Sequence, residues 1–290
     1  MKDASWILGG LFAILLIATI IGRVLARRQP SSAVVENLNA RIRSWWILVV
    51  IGGAALLAGR LAIIALFAFV SFLALREFVK LDRGLAVVSY SILLMQYGFI
   101  AMGWIWGFLI FIPVFCGLAS IWPRARQAAL GLLLCVYCLS HVPALMLLEI
   151  PGYEGRMPLL AAYVVVVVQI SDVLQYLWGK LIGRRLVAAR ISPSKTVEGS
   201  IGGVVSSAML GGLMLWPITP FNRWQAGAMA LMLAGSGFAS GLVLSAIKRR
   251  RGIKDWGSLL EGHGGMLDRM DSLCLSAPVF FQMVWWVFGN

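Results

Sequence analysis

The residues that could do chemistry are concentrated between about positions 170 and 272. The densest group is Ser245, Lys248, Arg249, Lys254, Asp255, His263, Gly264, Gly265, Asp268, Arg269 and Asp271. Asp268 and Asp271 are three apart, so on a helix entering the last apolar run they share a face. Two carboxylates held together repel unless a cation sits between them. Lys248, Arg249, Lys254 and Arg269 are anion partners. Gly264 and Gly265 permit a tight turn or close approach of a ligand. Cations that grip phosphate directly, with carboxylates that grip it through a metal, describe a magnesium–polyphosphate site. The plain alternative is a solvated run of charges that neutralise one another.

Two further groups lie upstream. Ser171 and Asp172, followed by Tyr176, Gly179 and Gly183, end an apolar run that includes Val164–Val168. A carboxylate inside such a run is costly and marks a functional candidate, unless it is only capped or paired. Ser192, Pro193, Ser194, Lys195 and Thr196 precede Glu198, Gly199, Gly202 and Gly203. Hydroxyls, a lysine and glycines ahead of a helix suit a bound phosphate. They equally suit an ordinary cap, with Ser194 or Thr196 as N-cap and the glycines as a packing face. Cys135 and Cys138 have a CxxC spacing without a second pair, so they read as inert packing thiols. His141 and His263 are far apart, which argues against zinc.

These groups must be positioned by a membrane protein. The 290 residues are 60% hydrophobic and 13% charged, with net charge +13 and mean hydropathy +0.88. Soluble domains are about 25% charged, so a soluble enzyme, a disordered chain and a secreted disulfide scaffold are excluded. Long apolar runs without alternation predict an all-α polytopic protein. Ten spans are expected: 5–22, 45–58, 61–75, 86–101, 103–121, 128–148, 158–178, 199–216, 225–247 and 273–289. The second and third, divided only by Arg60, could merge into one bent hairpin. With both termini outside, only Lys2, Arg60, Arg156 and Arg223 of the 25 Lys and Arg fall on the outer face, as the positive-inside rule requires. The basic inner face would favour anionic lipid headgroups. Residues 1–150 read as transmembrane scaffold and 151–290 as the catalytic half. A retained first helix is expected rather than a cleaved signal peptide.

The group from Ser245 to Asp271 resembles the signature of the phosphatidate cytidylyltransferases (CDP-diacylglycerol synthases). The pattern is Ser-x-apolar-Lys-Arg, four residues, Lys-Asp, then His-Gly-Gly-apolar-x-Asp-Arg-apolar-Asp. The stretch Ser192–Gly199 and the trio Asp172, Tyr176 and Gly179 are also similar, so the likeness covers about residues 165–275. Upstream it extends only to hydropathy and to Arg76-Glu77-Phe78. Three positions depart: Gly241 where that family usually has a metal-site Asp, Leu244 where it often has an acid, and Glu261 where it has Pro.

The resemblance implies that CTP and phosphatidate give CDP-diacylglycerol and pyrophosphate, with Mg²⁺ as cofactor. It implies Asp268 and Asp271 as metal ligands, with Asp172 and Asp255 as further ligands or as supports behind them. Lys195, Lys248, Arg249 and Lys254 would bind phosphates, Lys248 and Lys254 with catalytic roles. Ser192, Thr196, Ser245, Gly264, Gly265 and Arg269 would line the substrate site, and His263 would orient a phosphate. The expected partners are CTP, phosphatidate or a related lipid phosphate, membrane lipids and a second copy of the chain as homodimer, with no nucleic acid. The expected location is the inner cell membrane, with the site facing the cytoplasm. A CTP-dependent transferase or kinase acting on another lipid, and a non-catalytic lipid- or nucleotide-binding homologue, are the alternatives.

Overall fold

A computed structural model describes residues 2–28, 32–79, 83–257 and 264–288. The chain is an all-α polytopic membrane protein. Among the described residues, eight helices are long and apolar enough to cross a membrane, and two shorter apolar helices accompany them. In chain order they are α1 (Lys2–Arg28), α2 (Ala33–Ala58), α3 (Arg60–Phe78), α4 (Arg83–Met102) and α5 (Ile105–Ala119). Then come α6 (Arg126–Leu147), α7 (Met157–Ile182), α8 (Val197–Ile218) and α9 (Arg223–Arg250). The short α10 (Met266–Met270) and the apolar α11 (Leu273–Phe288) follow.

All ten expected spans have a helical counterpart, and the boundaries differ in one instructive place. Residues 23–43 were expected as a basic loop. Instead α1 runs to Arg28 and α2 starts at Ala33, so Arg27 and Arg28 lie in the last turn of α1 while Arg41 and Arg43 lie within α2. Arginine is a good helix former, and its long stem lets the charge reach water from a helical backbone. α2 and α3 stay separate because Gly59 turns the chain with φ +90°, a conformation that favours glycine.

A small antiparallel hairpin, β1 (Leu186–Ala188) and β2 (Ser192–Thr196), links α7 to α8. The sequence did not announce it. A two-stranded sheet has only edges, which is where Pro193 is tolerated. Glu198 holds its base by accepting the Arg184 and Arg185 N–H groups at 3.0 and 3.1 Å. Arg249 Nε donates to the Ile191 carbonyl at 3.2 Å and ties the hairpin to the end of α9.

The helices that carry the chemical groups pack through small residues. Thr196 is the N-cap of α8, its hydroxyl accepting the Gly199 N–H. A Cβ on Gly199 would lie 2.7 Å from the Gly179 Cα, and one on Gly203 would lie 2.6 Å from the Gln175 nitrogen. Backbones this close leave no room for side chains, as in many membrane helix pairs. α9 is started by a capping box between Asn222 and Gln225. Gly203→Val therefore forces α7 and α8 apart and costs on the order of 1–3 kcal/mol. A lowered thermal midpoint of the purified protein is the expected result, and an unchanged midpoint would contradict this packing.

Candidate active site

The site lies where α7 and α9 approach their C-terminal ends and where α8 and α11 begin. Asp172 sits ten residues before the end of α7, about 15 Å along the axis. It is therefore recessed below the helix ends. Ser272, in the two-residue gap between α10 and α11, donates from Oγ to Asp172 Oδ2 at 2.7 Å. The same hydroxyl is 3.4 Å from Asp271 Oδ1. Asp172 and Asp271 thus share one serine hydroxyl, although they are 99 positions apart in sequence.

Asp271 is held from the backbone outward. Its carbonyl accepts a hydrogen bond from the Ser240 hydroxyl, and the same oxygen of Ser240 accepts the Leu275 N–H at 3.1 Å. Burial, and then the neighbouring Asp172 charge, push the Asp271 carboxyl up to about 6. Lys248 opposes that shift, with its Nζ 3.9 Å from Asp271 Oδ2.

Asp268 is arranged differently. Its Oδ1 accepts from Lys248 Nζ at 2.8 Å, within a nearly buried ion pair. Its Oδ2 accepts both the Trp256 and Gly265 N–H groups, at 2.8 and 2.9 Å. Both oxygens are therefore engaged by the protein. The helix expected to carry both acids stops at Met270, so Asp271 follows it as cap rather than as part of one continuous turn. The Lys248 ammonium stands between the two carboxylates, 2.8 Å from Asp268 and 3.9 Å from Asp271. Gly264, with φ +75°, makes the turn that leads into α10, and a Cβ there would meet Asp268 Oδ2 at 2.7 Å.

The remaining candidates are spread around this centre. Lys195 reaches in from β2 and lies over the Phe238 ring, 5.1 Å from its centroid. Ser245 stands on α9 between Gly241 and Lys248. Arg269 lies within electrostatic reach of Asp271, Asp268 and Asp172, and burial draws it down from its usual value. Its carbonyl accepts from Gln169 of α7 at 3.0 Å. Ser192 is buried in the hairpin, while Lys254 and Asp255 are exposed. Arg249 is exposed and engaged with the Ile191 and Ile253 carbonyls. His263 and Glu261 lie outside the described residues.

Two residues that matter to this geometry had no assigned role in the sequence. Ser272 is one, a serine adjoining an apolar run. Glu77 is the other. It ends α3 in the first half of the chain, and it accepts the Met266 N–H at 2.8 Å and the Leu267 N–H at 2.9 Å. A carboxylate on the free N–H groups at a helix start is favourable by hydrogen bonding and by the dipole. Gly257 and Gly265 make room for it, since a Cβ on Gly265 would collide with Glu77 Oε2. Arg251 stacks on Phe78 at 4.2 Å and donates to its carbonyl at 2.6 Å. The Arg76-Glu77-Phe78 stretch was the available signal.

The arrangement is a recessed carboxylate pair in a polytopic bundle, with one buried lysine, Lys248, and a half-buried one, Lys195, beside it. Comparison with known proteins gives the class: residues 39–287 match the model of the cytidylyltransferase family, and the chain belongs to that family. It is 38% identical over 295 residues to the uncharacterized protein YnbB of Escherichia coli (strain K12), covering 96% of this chain and 97% of that one. It is also 38% identical over 118 residues to the phosphatidate cytidylyltransferase of Staphylococcus haemolyticus (strain JCSC1435), covering 40% of this chain and 45% of that one. The Synechocystis sp. (strain ATCC 27184 / PCC 6803 / Kazusa) phosphatidate cytidylyltransferase matches at 38% over 115 residues, 39% of each chain. The likeness to these two enzymes thus spans less than half of their length.

Two outcomes test the geometry. A carboxyl with a higher pKa in the folded chain than in the unfolded one binds its proton more readily when folded. Asp271 therefore favours folding as pH falls through about 6 and opposes it above. Asp271→Asn should be more stable than the parent near neutral pH, by on the order of 2 kcal/mol, and should flatten the rise in thermal midpoint on acidification. Equal pH profiles for the two proteins would refute this. Glu77→Ala should leave the α10 amides without partners and speed their hydrogen exchange by roughly tenfold or more, while Glu77→Gln has a smaller effect. Unchanged exchange at Met266 and Leu267 would remove Glu77 as their cap.

Proposed function

We propose that the protein transfers a cytidylyl group from CTP to a lipid phosphate, phosphatidate being the preferred reading, with release of pyrophosphate. The observation that carries this is the Asp172–Asp271 pair joined through Ser272, flanked by Lys248 and Lys195, in a chain of the cytidylyltransferase family. The likeness to the two phosphatidate cytidylyltransferases supports the choice of substrate.

The donor set suits magnesium. This hard cation is commonly held by one or two carboxylates plus substrate phosphates, and less often by a cage of protein ligands. Among the described residues no group of three or more His, Cys, Asp or Glu is placed to hold a metal, and a carboxylate pair is what that mode of binding needs. Asp172 and Asp271 would hold the ion. Bound there, it would supply charge neutralisation to the triphosphate and the departing pyrophosphate.

The residues of the chain account for the rest. The lipid phosphate needs no strong base, because its second pKa is about 6. One of its oxygens attacks the α-phosphorus of CTP. The new P–O bond forms as the bond to the β-phosphate bridging oxygen breaks, and the electron pair leaves with pyrophosphate. Lys248 and Lys195 neutralise charge beside the acid pair, and Arg269 adds to the field. Lys254 and Arg249, both exposed at and beyond the end of α9, would meet the outer phosphates, with Ser192 of the hairpin lining the site. Asp268 holds Lys248 and the turn at Gly265, and so positions the cation. Residues 1–150 serve as scaffold for the catalytic half. The charge distribution of the loops supports a site facing the cytoplasm in the inner membrane.

The test is incubation of purified protein with CTP, Mg²⁺ and phosphatidate, followed by mass analysis of the lipids. A cytidine diphosphate lipid is expected, and Asp172→Asn or Asp271→Asn should reduce its formation by roughly 10³-fold or more. Absence of such a lipid under every metal condition, or near-parental turnover by both variants, would overturn the proposal.

A further inference from the structure

Gly241 lies on α9, one helical turn before Ser245 and level with the acid pair. A Cβ there would come within 2.8 Å of Lys195 Nζ and 3.6 Å of Ser272 Oγ. The Lys195 ammonium thus occupies the space that a side chain at 241 would need. One face of it rests over Phe238, three residues earlier on the same helix. It also stands near the hydroxyl that Asp172 and Asp271 share. Yet among the described residues its ammonium has no carboxylate within ion-pair distance, and the ion pairs at the site belong to Lys248.

Phosphoryl-transfer sites often use two divalent ions about 3.5–4 Å apart, one for the attacking oxygen and one for the leaving oxygen. A second ion needs another carboxylate and space beside the first. Of the further carboxylates, Asp268 is committed to Lys248 and two backbone N–H groups, and Asp255 is exposed beyond the end of α9. The space is taken by an ammonium. We infer that Lys195 is a built-in cation of the acid pair, admitted by Gly241, and that the site takes a single divalent ion per chain.

This inference rests on the reading of Asp172 and Asp271 as the divalent-ion pair. Lys195 balances their charge from its place over Phe238, with its N–H groups available to a phosphate. Gly241 acts through it, by having no side chain.

The experiment counts Mn²⁺, added alone, on the full-length purified protein by electron paramagnetic resonance. The parent should bind one ion per chain. Lys195→Met should bind one ion roughly tenfold more tightly, because a like charge beside the metal has gone. Lys195→Arg keeps the charge and should stay within about threefold of the parent. Gly241→Ala displaces the ammonium and should shift affinity in the same direction as Lys195→Met. Gly241→Asp combined with Lys195→Met should bind two ions. Two ions on the parent, or unchanged affinity in Lys195→Met, would overturn the inference while leaving the metal pair standing. Absence of Mn²⁺ from the parent, or binding indifferent to Asp172→Asn and Asp271→Asn, would overturn both.

Discussion

Two carboxyl groups, Asp172 and Asp271, are held against one serine hydroxyl inside a bundle lined largely by apolar side chains. Like charges in such surroundings are unfavourable without compensation. Much of the surrounding structure answers that constraint. Ser272 donates to Asp172, Lys248 reaches Asp271, and the Lys195 ammonium enters beside them where Gly241 leaves space. Burial, and then the Asp172 charge, still hold the Asp271 carboxyl above its usual value, against the opposing pull of Lys248 and Lys195. On the proposed reading, a cation received by the pair, and through it a polyanion, completes the compensation.

Positioning is achieved by carboxylates that do other work. Asp268 commits one oxygen to Lys248 and the other to two N–H groups, so the turn and the cation move as one unit. Glu77 fixes the start of the same short helix from α3, across 189 positions of sequence. The first half of the chain therefore carries no catalytic candidate yet holds the segment that presents Asp271. Breaking such partly buried pairs is costly, on the order of 3–5 kcal/mol when one member is removed, which is why these contacts can hold a five-residue helix in place.

The sequence made much of this legible and hid the remainder for identifiable reasons. Apolar run lengths and the one-sided distribution of arginines revealed the helical spans, because lipid imposes both. Asp172 and Asp271 were conspicuous because carboxylates are rare in or beside such runs. Their meeting through Ser272 was not visible, since a serine beside an apolar run is unremarkable. The hairpin at 186–196 was hidden because its strands are short and one contains proline. The arginines at 23–43 suggest a loop because charge favours water, whereas their backbone is helical. Glu77 was noticed only as part of a resembling stretch; its partners Met266 and Leu267 are too distant in sequence for spacing to suggest them.

The most direct measurement of the central claim follows the two ends of the CTP triphosphate separately. Purified protein is given phosphatidate and Mg²⁺ with CTP labelled at the α- or the γ-phosphorus, and the lipid fraction is counted. The account predicts α-label in lipid and γ-label in released pyrophosphate. γ-Label in lipid would mark phosphoryl rather than cytidylyl transfer, and an unlabelled lipid fraction with both substrates would show that the acid pair serves another reaction.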